Sequence, residues 1–352
     1  MSDKIYYFPF QHVNRYVDLT KQTLDDLGYQ VISYRKLYRL GNLFSRQHNI
    51  AVLNWFEDRP YRKSFSPFKQ HIERVRTFFG ILFMGLVSHK IIWVRHNYLP
   101  HNLGQSSRTG QHLAQTRRPL SHRINCFLLK HIASQIVSME PTDLTTAVVP
   151  HPLYRSDSQL ESASHAAPKE TVIDYLFFGT IKPYKRLEEL LEYWPAGMTL
   201  NILGFCAEQT YCTYLNGIIQ RRQLRVNWQN EYVDEQELNH ALAHTRYVIM
   251  PHEDDSMISS GTFYHAASYG TNFLCFPSKF AINKAQKHTF VHLIDKTRLE
   301  QDLAEINYID PQQVISQSLD CYGQAAQKQA WQRLLQSSYS DEHSLRKQKI
   351  YD

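Results

Sequence analysis

Hydrophobic and polar positions along the chain switch between two periods. Short runs dense in β-branched and aromatic residues predict strands at Ile5–Phe10, Tyr29–Tyr34, Ile50–Phe56 and Lys90–Asn97. Helical spacing predicts helices over Arg15–Leu27, closed by Gly28, and over Pro67–Val87, which is basic at its start and apolar at its end. Residues 101–118, rich in His, Gln, Ser, Gly and Arg, read as a loop. The rhythm then returns. Strands are predicted at Val172–Gly179, Met198–Gly204, Leu224–Trp228, Arg246–Pro251 and Asn272–Pro277. Helices are predicted between them at Arg186–Tyr193, Glu208–Arg222, Asp234–Ala243 and Gly261–Tyr269. Strand–helix alternation in both halves predicts two doubly wound α/β domains, 1–155 and 170–325, followed by a helical tail over 326–352. Ser156–Lys169 (SDSQLESASHAAPK) has linker composition and divides the domains.

Length and composition agree with two folded domains. The chain has 352 residues, 43% hydrophobic and 20% charged, which excludes disordered and low-complexity classes. The net charge of +6 conceals an asymmetry. Residues 1–150 carry 20 Lys/Arg against 9 Asp/Glu, and the remainder 19 against 24. The two halves are therefore expected to meet different partners. The basic residues are dispersed rather than striped with aromatics, which argues against nucleic acid. Five scattered cysteines without CxxC spacing argue against a disulfide framework or structural zinc, and for a reducing compartment. MSDKIYYFPF lacks the layout of a signal peptide, and the 12-residue apolar run Thr77–Ser88 falls short of the roughly 20 residues that span a bilayer. A cytoplasmic protein is expected.

Ligands of open α/β sheets bind beyond the carboxyl ends of the strands, so chemistry is sought there. After Val172–Gly179, Lys182 and Lys185 precede a helix and suit an anion such as a diphosphate; the alternative is two solvated lysines. Ser259, Ser260, Gly261 and Thr262 open another helix, as an anion seat or an ordinary cap. Neither GxGxxG nor GxxxxGK[ST] occurs. His252–Asp255 (HEDD) is a polar loop or an oxygen-rich metal site. His96, Asn97 and His101 follow a strand in the basic half, as active-site groups or loop polarity. Glu57 and Asp58 follow another strand, as carboxylates for proton transfer or as surface charge paired with Arg59 or Arg62.

Together these segments resemble the GT-B superfamily of nucleotide-sugar glycosyltransferases, and more narrowly family 4-like bacterial enzymes of exopolysaccharide, capsule and O-antigen assembly. The resemblance covers most of the chain. Asn14–Tyr16 is similar to the family's Asn-Pro-Tyr turn. IAVLNWFED (Ile50–Asp58) resembles DIVHLHWPE, and IIWVRHNYLPH (Ile91–His101) resembles VWTVHNLxPH. FFGTIKPYKRLEELL resembles FGxIRPYKGxxxLI, Glu231–Pro251 resembles the stretch ending ADVVVLP, and Ser259–Leu274 resembles SGxxxLALSxGKPVI. Three positions depart from the pattern. Thr180 stands where many relatives carry Arg, and Arg246 where Asp is usual. The Glu-x7-Glu pair of many retaining members falls on Met257 and His265, which leaves room for an inverting enzyme.

The resemblance implies a GT-B fold, with two Rossmann-like domains facing each other across a cleft and the final helices crossing back to the first. It implies that the second domain holds a UDP- or GDP-sugar donor. Lys185 with Lys182, Thr180 and Ser259–Thr262 would take the diphosphate, Glu231, Tyr232 and Val233 the nucleobase side, with His252 beside them. His96 would face the donor sugar. Asn14, Arg15, Asn97 and His101 would lie on the acceptor side, with Glu57 or Asp58 as base. No metal or other cofactor is implied, because basic side chains stabilise the departing diphosphate. The acceptor would be a lipid-linked saccharide at the cytoplasmic face of the inner membrane, and Phe65–Val87 would either enter the interface or pack on the sheet. The alternatives are a UDP-sugar 2-epimerase and a non-catalytic sugar-nucleotide-binding subunit.

Overall fold

The computed structural model describes residues 3–61, 65–97, 119–143, 145–165, 170–252 and 258–337. The chain forms two compact units: Met1–Pro152 with Ser256–Ser259 and Gln324–Asp352, and Leu153–Asp255 with Ser260–Gly323.

The N-terminal unit runs β1 (Lys4–Phe8), α1 (Tyr16–Asp26), β2 (Gln30–Ser33), β3 (Asn49–Asn54), α2 (Pro67–Val87), β4 (Lys90–Val94), α3 (Leu120–Ile132), β5 (Gln135–Ser138) and β6 (Ala147–Val148). Its six parallel strands are ordered β2-β1-β3-β4-β5-β6. The strands are apolar on both faces because helices cover both. Ile5, Tyr7, Val52, Ile92 and Val94 face one core with Tyr16 and Val17 of α1. Their neighbours Tyr6, Phe8, Leu53, Ile91 and Trp93 face the other, with Ile81 and Met84 of α2 and Leu129 of α3.

The C-terminal unit begins with α4 (Asp157–Ser164) and continues with β7 (Ile173–Phe178), α5 (Leu187–Tyr193), β8 (Leu200–Leu203), α6 (Gln209–Arg221), β9 (Val226–Gln229) and α7 (Glu235–Ala243). Then follow β10 (Thr245–Met250), α8 (Gly261–Ala267), β11 (Asn272–Cys275), α9 (Lys279–Lys287), β12 (Val291–Leu293), α10 (Leu299–Glu305) and α11 (Pro311–Tyr322). Its parallel sheet is ordered β12-β11-β10-β7-β8-β9. The last described helix, α12 (Gln324–Gln336), belongs to the first unit and puts Trp331, Leu334 and Leu335 into its core. Lys90 Nζ, at the start of β4, donates to the carbonyls of Leu334, Leu335 and Ser337 at 2.8, 3.0 and 2.8 Å. A buried cation thus takes up the orphan carbonyls at that helix end.

Each sheet reverses direction at one place. In the first unit β1 is followed by β2 on one side and β3 on the other; in the second β7 leads away to β8 and β9 before β10 returns to its free edge. The crevices at the carboxyl ends of β1/β3 and β7/β10 are the topological switch points where such sheets take ligands.

Several expectations are corrected. The linker expected at Ser156–Lys169 contains α4, whose N-terminus is closed by a reciprocal Ser156–Gln159 capping box and whose Leu160 is fully buried. The strand expected over Ile5–Phe10 stops at Phe8, ahead of Pro9, and that expected over Tyr29–Tyr34 gives way to a 3₁₀ turn at Tyr34. Beyond the strand expected at Asn272–Pro277 a further strand, β12, pairs with β11. Gly28 does close α1, with φ of 85°. The loop expected at 101–118 lies outside the described residues.

Candidate functional site

The crevice of the C-terminal unit is built around Lys185. β7 ends at Gly179, whose φ of 95° favours glycine, and a Cβ there would lie 2.9 Å from Lys185 Nζ. A Cβ on Gly204, at the end of β8, would lie 2.2 Å from the Gly179 carbonyl oxygen. Two glycines thus let adjacent strand ends close up beneath the lysine. A 3₁₀ turn, Pro183–Lys185, then folds the chain back, and Arg186 in the left-handed region (φ 54°) leads into α5. Lys185 is buried, 5.5 Å over the Phe177 ring, and its Nζ reaches the Phe178 carbonyl at 3.4 Å. Among the described residues no carboxylate pairs with it. Burial, and then the charge of Lys182, push its ammonium down to about 8.

His252, beyond the end of β10, is buried too, and its Nδ1 has no hydrogen-bond partner. Burial and the neighbouring Lys185 charge lower its pKa to about 3, so the ring is neutral. The Tyr184 ring lies 6.2 Å from it. Among the described residues, a cation without a carboxylate partner and an imidazole nitrogen without a hydrogen-bond partner thus share one switch point. This arrangement can accept an anion and hydrogen-bond one of its oxygens.

The other donor-side residues surround this centre to differing degrees. Thr180 and Lys182 are exposed. Ser260 precedes α8 and is buried, but its side chain does not cap the helix. Gly261 is packed against Tyr154, whose hydroxyl a Cβ would approach to 2.9 Å. Thr262 is half-buried on α8. Ser259 falls in the N-terminal unit, where the preceding Ile258 N–H donates to the His96 carbonyl at 3.3 Å. Glu231 is exposed and accepts from Gln229 at 2.9 Å, and Val233 is half-buried. Tyr232 is 76% exposed, with its ring 4.7 Å from that of Phe205. Phe205 is tied back to the Lys185 loop, because its carbonyl accepts from Ile181 N–H at 3.0 Å. His265 is a packing residue: its Nε2 lies 2.8 Å from Asn239 Oδ1 and its ring stacks on Tyr154 at 4.5 Å. Residues 253–257 of the HEDD segment lie outside the described residues.

The crevice of the N-terminal unit holds rings. Asn54 donates through Nδ2 to the Phe8 carbonyl at 3.0 Å, which turns its Oδ1 to His96 Nε2 at 2.9 Å. The imidazole therefore carries its proton on Nε2. Trp55, at φ 51°, stacks on His96 at 3.7 Å and on His12 at 5.2 Å. Tyr16 meets His96 edge-on at 4.9 Å and approaches His151 at 5.1 Å. Asn14 is spent locally, since its Oδ1 accepts from Tyr16 N–H at 3.0 Å where α1 begins, and Arg15 occupies the N-cap of that helix. Asn97 is buried with its Nδ2 unpartnered, and its carbonyl lies 3.4 Å from buried Arg95. His101 lies outside the described residues.

The two carboxylates turn to other partners than the His96 rings. Glu57 is buried and accepts from the Trp93 indole at 2.9 Å. Burial, and then the charge of Asp58, raise it to about 7. Asp58 faces His122 Nε2 at 3.4 Å. Neither pairs with Arg59, which binds Glu73 at 2.8 Å instead. Among the described residues no three His, Cys, Asp or Glu side chains are grouped to hold a metal.

Sequence reasoning missed His12, Trp55, Tyr16 and Phe205. The available signal was an aromatic or imidazole ring at several strand ends of one sheet.

No family profile and no curated protein matches the sequence. Solved structures match it in fold. One is AviGT4, a glycosyltransferase involved in avilamycin A biosynthesis, at 14% identity and TM-score 0.56, over 95% of this chain and 98% of that one. Another is a UDP-forming α,α-trehalose-phosphate synthase from Burkholderia xenovorans, at 11% and 0.59, over 96% and 99%. A third, from E. coli, is described as trehalose-6-phosphate bound with UDP-2-fluoro glucose, at 9% and 0.59, over 96% and 100%. The chain thus has two six-stranded parallel sheets in the fold of GT-B glycosyltransferase structures.

Proposed function

We propose that the protein is a glycosyltransferase that moves a sugar from a nucleoside diphosphate donor to a saccharide acceptor, lipid-linked, in the assembly of a bacterial surface polysaccharide. The observation that carries this reading is Lys185, a buried cation at the β7/β10 switch point that pairs with no carboxylate among the described residues. A diphosphate would restore the charge that burial penalises, and Lys185 would stabilise it most as it departs with both bonding electrons. His252 would donate to one of the same oxyanions through its unpartnered Nδ1. Phe205 and Tyr232 offer a ring surface for the nucleobase. The fold is one that AviGT4 and a UDP-sugar complex share.

In the N-terminal unit we assign the acceptor. The ring column of His12, Trp55 and His96 suits the apolar face of a sugar. Glu57, held near neutrality, has the proton affinity a base needs to take the acceptor hydroxyl proton in an inverting displacement, with Asp58 as the alternative. The test is incubation with a panel of nucleotide sugars and prenyl-diphosphate acceptors, with product linkage read by NMR. Transfer dependent on Lys185 supports the reading, and absence of any nucleotide binding removes it.

A further inference from the structure

Four lysine or arginine side chains are buried among the described residues: Lys90, Arg95, Lys185 and Lys284. Three of them have evident roles. Lys90 closes the carbonyl end of α12. Lys185 stands at the β7/β10 crevice. Lys284 lies 4.5 to 5.3 Å from the rings of Phe263, Tyr264, Phe280 and Tyr322, and donates to the Tyr322 hydroxyl at 2.7 Å. Arg95, 6% exposed, is left. A lysine can shed its proton when burial penalises the charge, but a guanidinium cannot. The charge on Arg95 is therefore fixed.

Arg95 follows β4, and its backbone is locked there, because its N–H donates to the Val137 carbonyl of β5 at 2.7 Å. Its guanidinium lies 5.1 Å over the Trp93 ring, on the face of the sheet that Trp93 shares with α2 and α3 rather than with Tyr16. The ring supplies a quadrupole but no net charge. Among the described residues no carboxylate pairs with Arg95. Glu57 feels its charge, yet turns its Oε2 to the Trp93 indole at 2.9 Å. Arg95 Nη2 reaches the Asn97 carbonyl at 3.4 Å, and its Nε has no hydrogen-bond partner. Asn97, 8% exposed, has its Nδ2 unpartnered as well. Two neighbouring side chains, each more than nine-tenths buried, thus hold donors without acceptors beside one fixed positive charge. Both deficits are costly, and an anion meets both.

We propose that Arg95 and Asn97 bind a carboxylate on the acceptor, so that the acceptor sugar is a uronic acid. The guanidinium fork takes the two carboxylate oxygens, and the Asn97 amide donates to one of them. A carboxylate matches in charge and in shape. It brings one negative charge to one fixed positive charge, and its two coplanar oxygens fit the planar fork. A phosphate monoester brings about 1.5 to 2 negative charges near pH 7, which leaves an excess beside Glu57. The proposal rests on the reading of the N-terminal unit as the acceptor side, and it gives that side a residue that selects the substrate.

The test is a ligand-observed NMR titration of the full chain with the methyl glycosides of glucose, galactose and mannose and of the three corresponding uronic acids. At least one uronate should bind about tenfold or more tightly than its neutral counterpart. Arg95→Gln should bring that uronate down to the neutral glycoside and leave the neutral glycoside's affinity unchanged. Should that variant not fold, Arg95→Lys keeps the charge, loses the fork and should lower the preference several-fold. Asn97→Asp supplies a carboxylate of its own beside Arg95 and should abolish the preference. Equal affinity within every pair, or a preference that survives Arg95→Gln, would overturn the proposal. Tighter binding of glucose 6-phosphate than of any uronate would overturn the assignment to a carboxylate. UDP and GDP are titrated in parallel. Nucleotide binding without preference for any uronate removes this inference and leaves the donor reading standing; preference for a uronate without nucleotide binding does the reverse.

Discussion

At the β7/β10 crevice of the C-terminal unit a buried lysine pairs with no carboxylate among the described residues, whereas at the β1/β3 crevice of the N-terminal unit the rings of His12, Trp55 and His96 stack and Asn54 takes the imidazole N–H. The strand arrangement at the two places is alike, with one strand leading away and a later one returning to its free edge. The chemistry is not. A buried cation without a carboxylate among the described residues is stabilised by an anion, so the C-terminal crevice is suited to one. A stacked ring column offers a flat surface, its imidazole N–H already taken by Asn54. The same backbone geometry therefore supports charge recognition in one unit and shape recognition in the other.

This contrast predicts unequal responses to substitution. Lys185→Ala should lower turnover by about 10²–10³-fold and weaken nucleotide binding, measured by steady-state kinetics and calorimetry. Lys182→Ala, at an exposed site, should do much less. If the acceptor is held by the N-terminal unit as proposed, His96→Ala should lower turnover by about 10²-fold and leave nucleotide affinity unchanged; weakened nucleotide binding in that variant would overturn the proposed division. A diphosphate needs Lys185 protonated, so affinity should hold below pH 8 and fall by up to about tenfold per unit above it, with proton uptake on binding near that pH. A flat affinity profile through pH 9 would remove the lysine from the contact. Gly204→Ala should cost about 1–3 kcal/mol of stability in denaturant unfolding, since the new methyl meets the Gly179 carbonyl.

The smallest effect concerns Glu57. Folded, it keeps its proton up to about pH 7, while the unfolded chain ionises near 4.5. The native state then binds more protons in that window, so stability falls as pH rises from 4.5 to 7. Glu57→Gln should flatten this slope, by about 2–4 °C in Tm.

Much of this was legible in the sequence because the central strands are buried on both faces and read as continuous apolar runs, as in KIIWV of β4. Their carboxyl ends pointed to Lys185, His252 and His96 directly. The helix α4 was hidden by its composition: Leu160 is its one buried side chain, too little for a periodic signal, although its Ser-x-x-Gln capping box was present. The state of Lys185 was not legible, because its burial depends on Phe177 and on His252 from a distant strand. The ring column was hidden for the same reason, since its members come from three strand ends.

The proposed role of Lys185 is to hold a nucleoside diphosphate in the C-terminal crevice. Calorimetric titration of UDP and GDP into the wild type and the Lys185→Ala variant tests it most directly. The account predicts saturable binding of at least one nucleotide to the wild type, weakened by about tenfold or more in the variant. Binding of neither nucleotide, or equal affinity in both proteins, would contradict it.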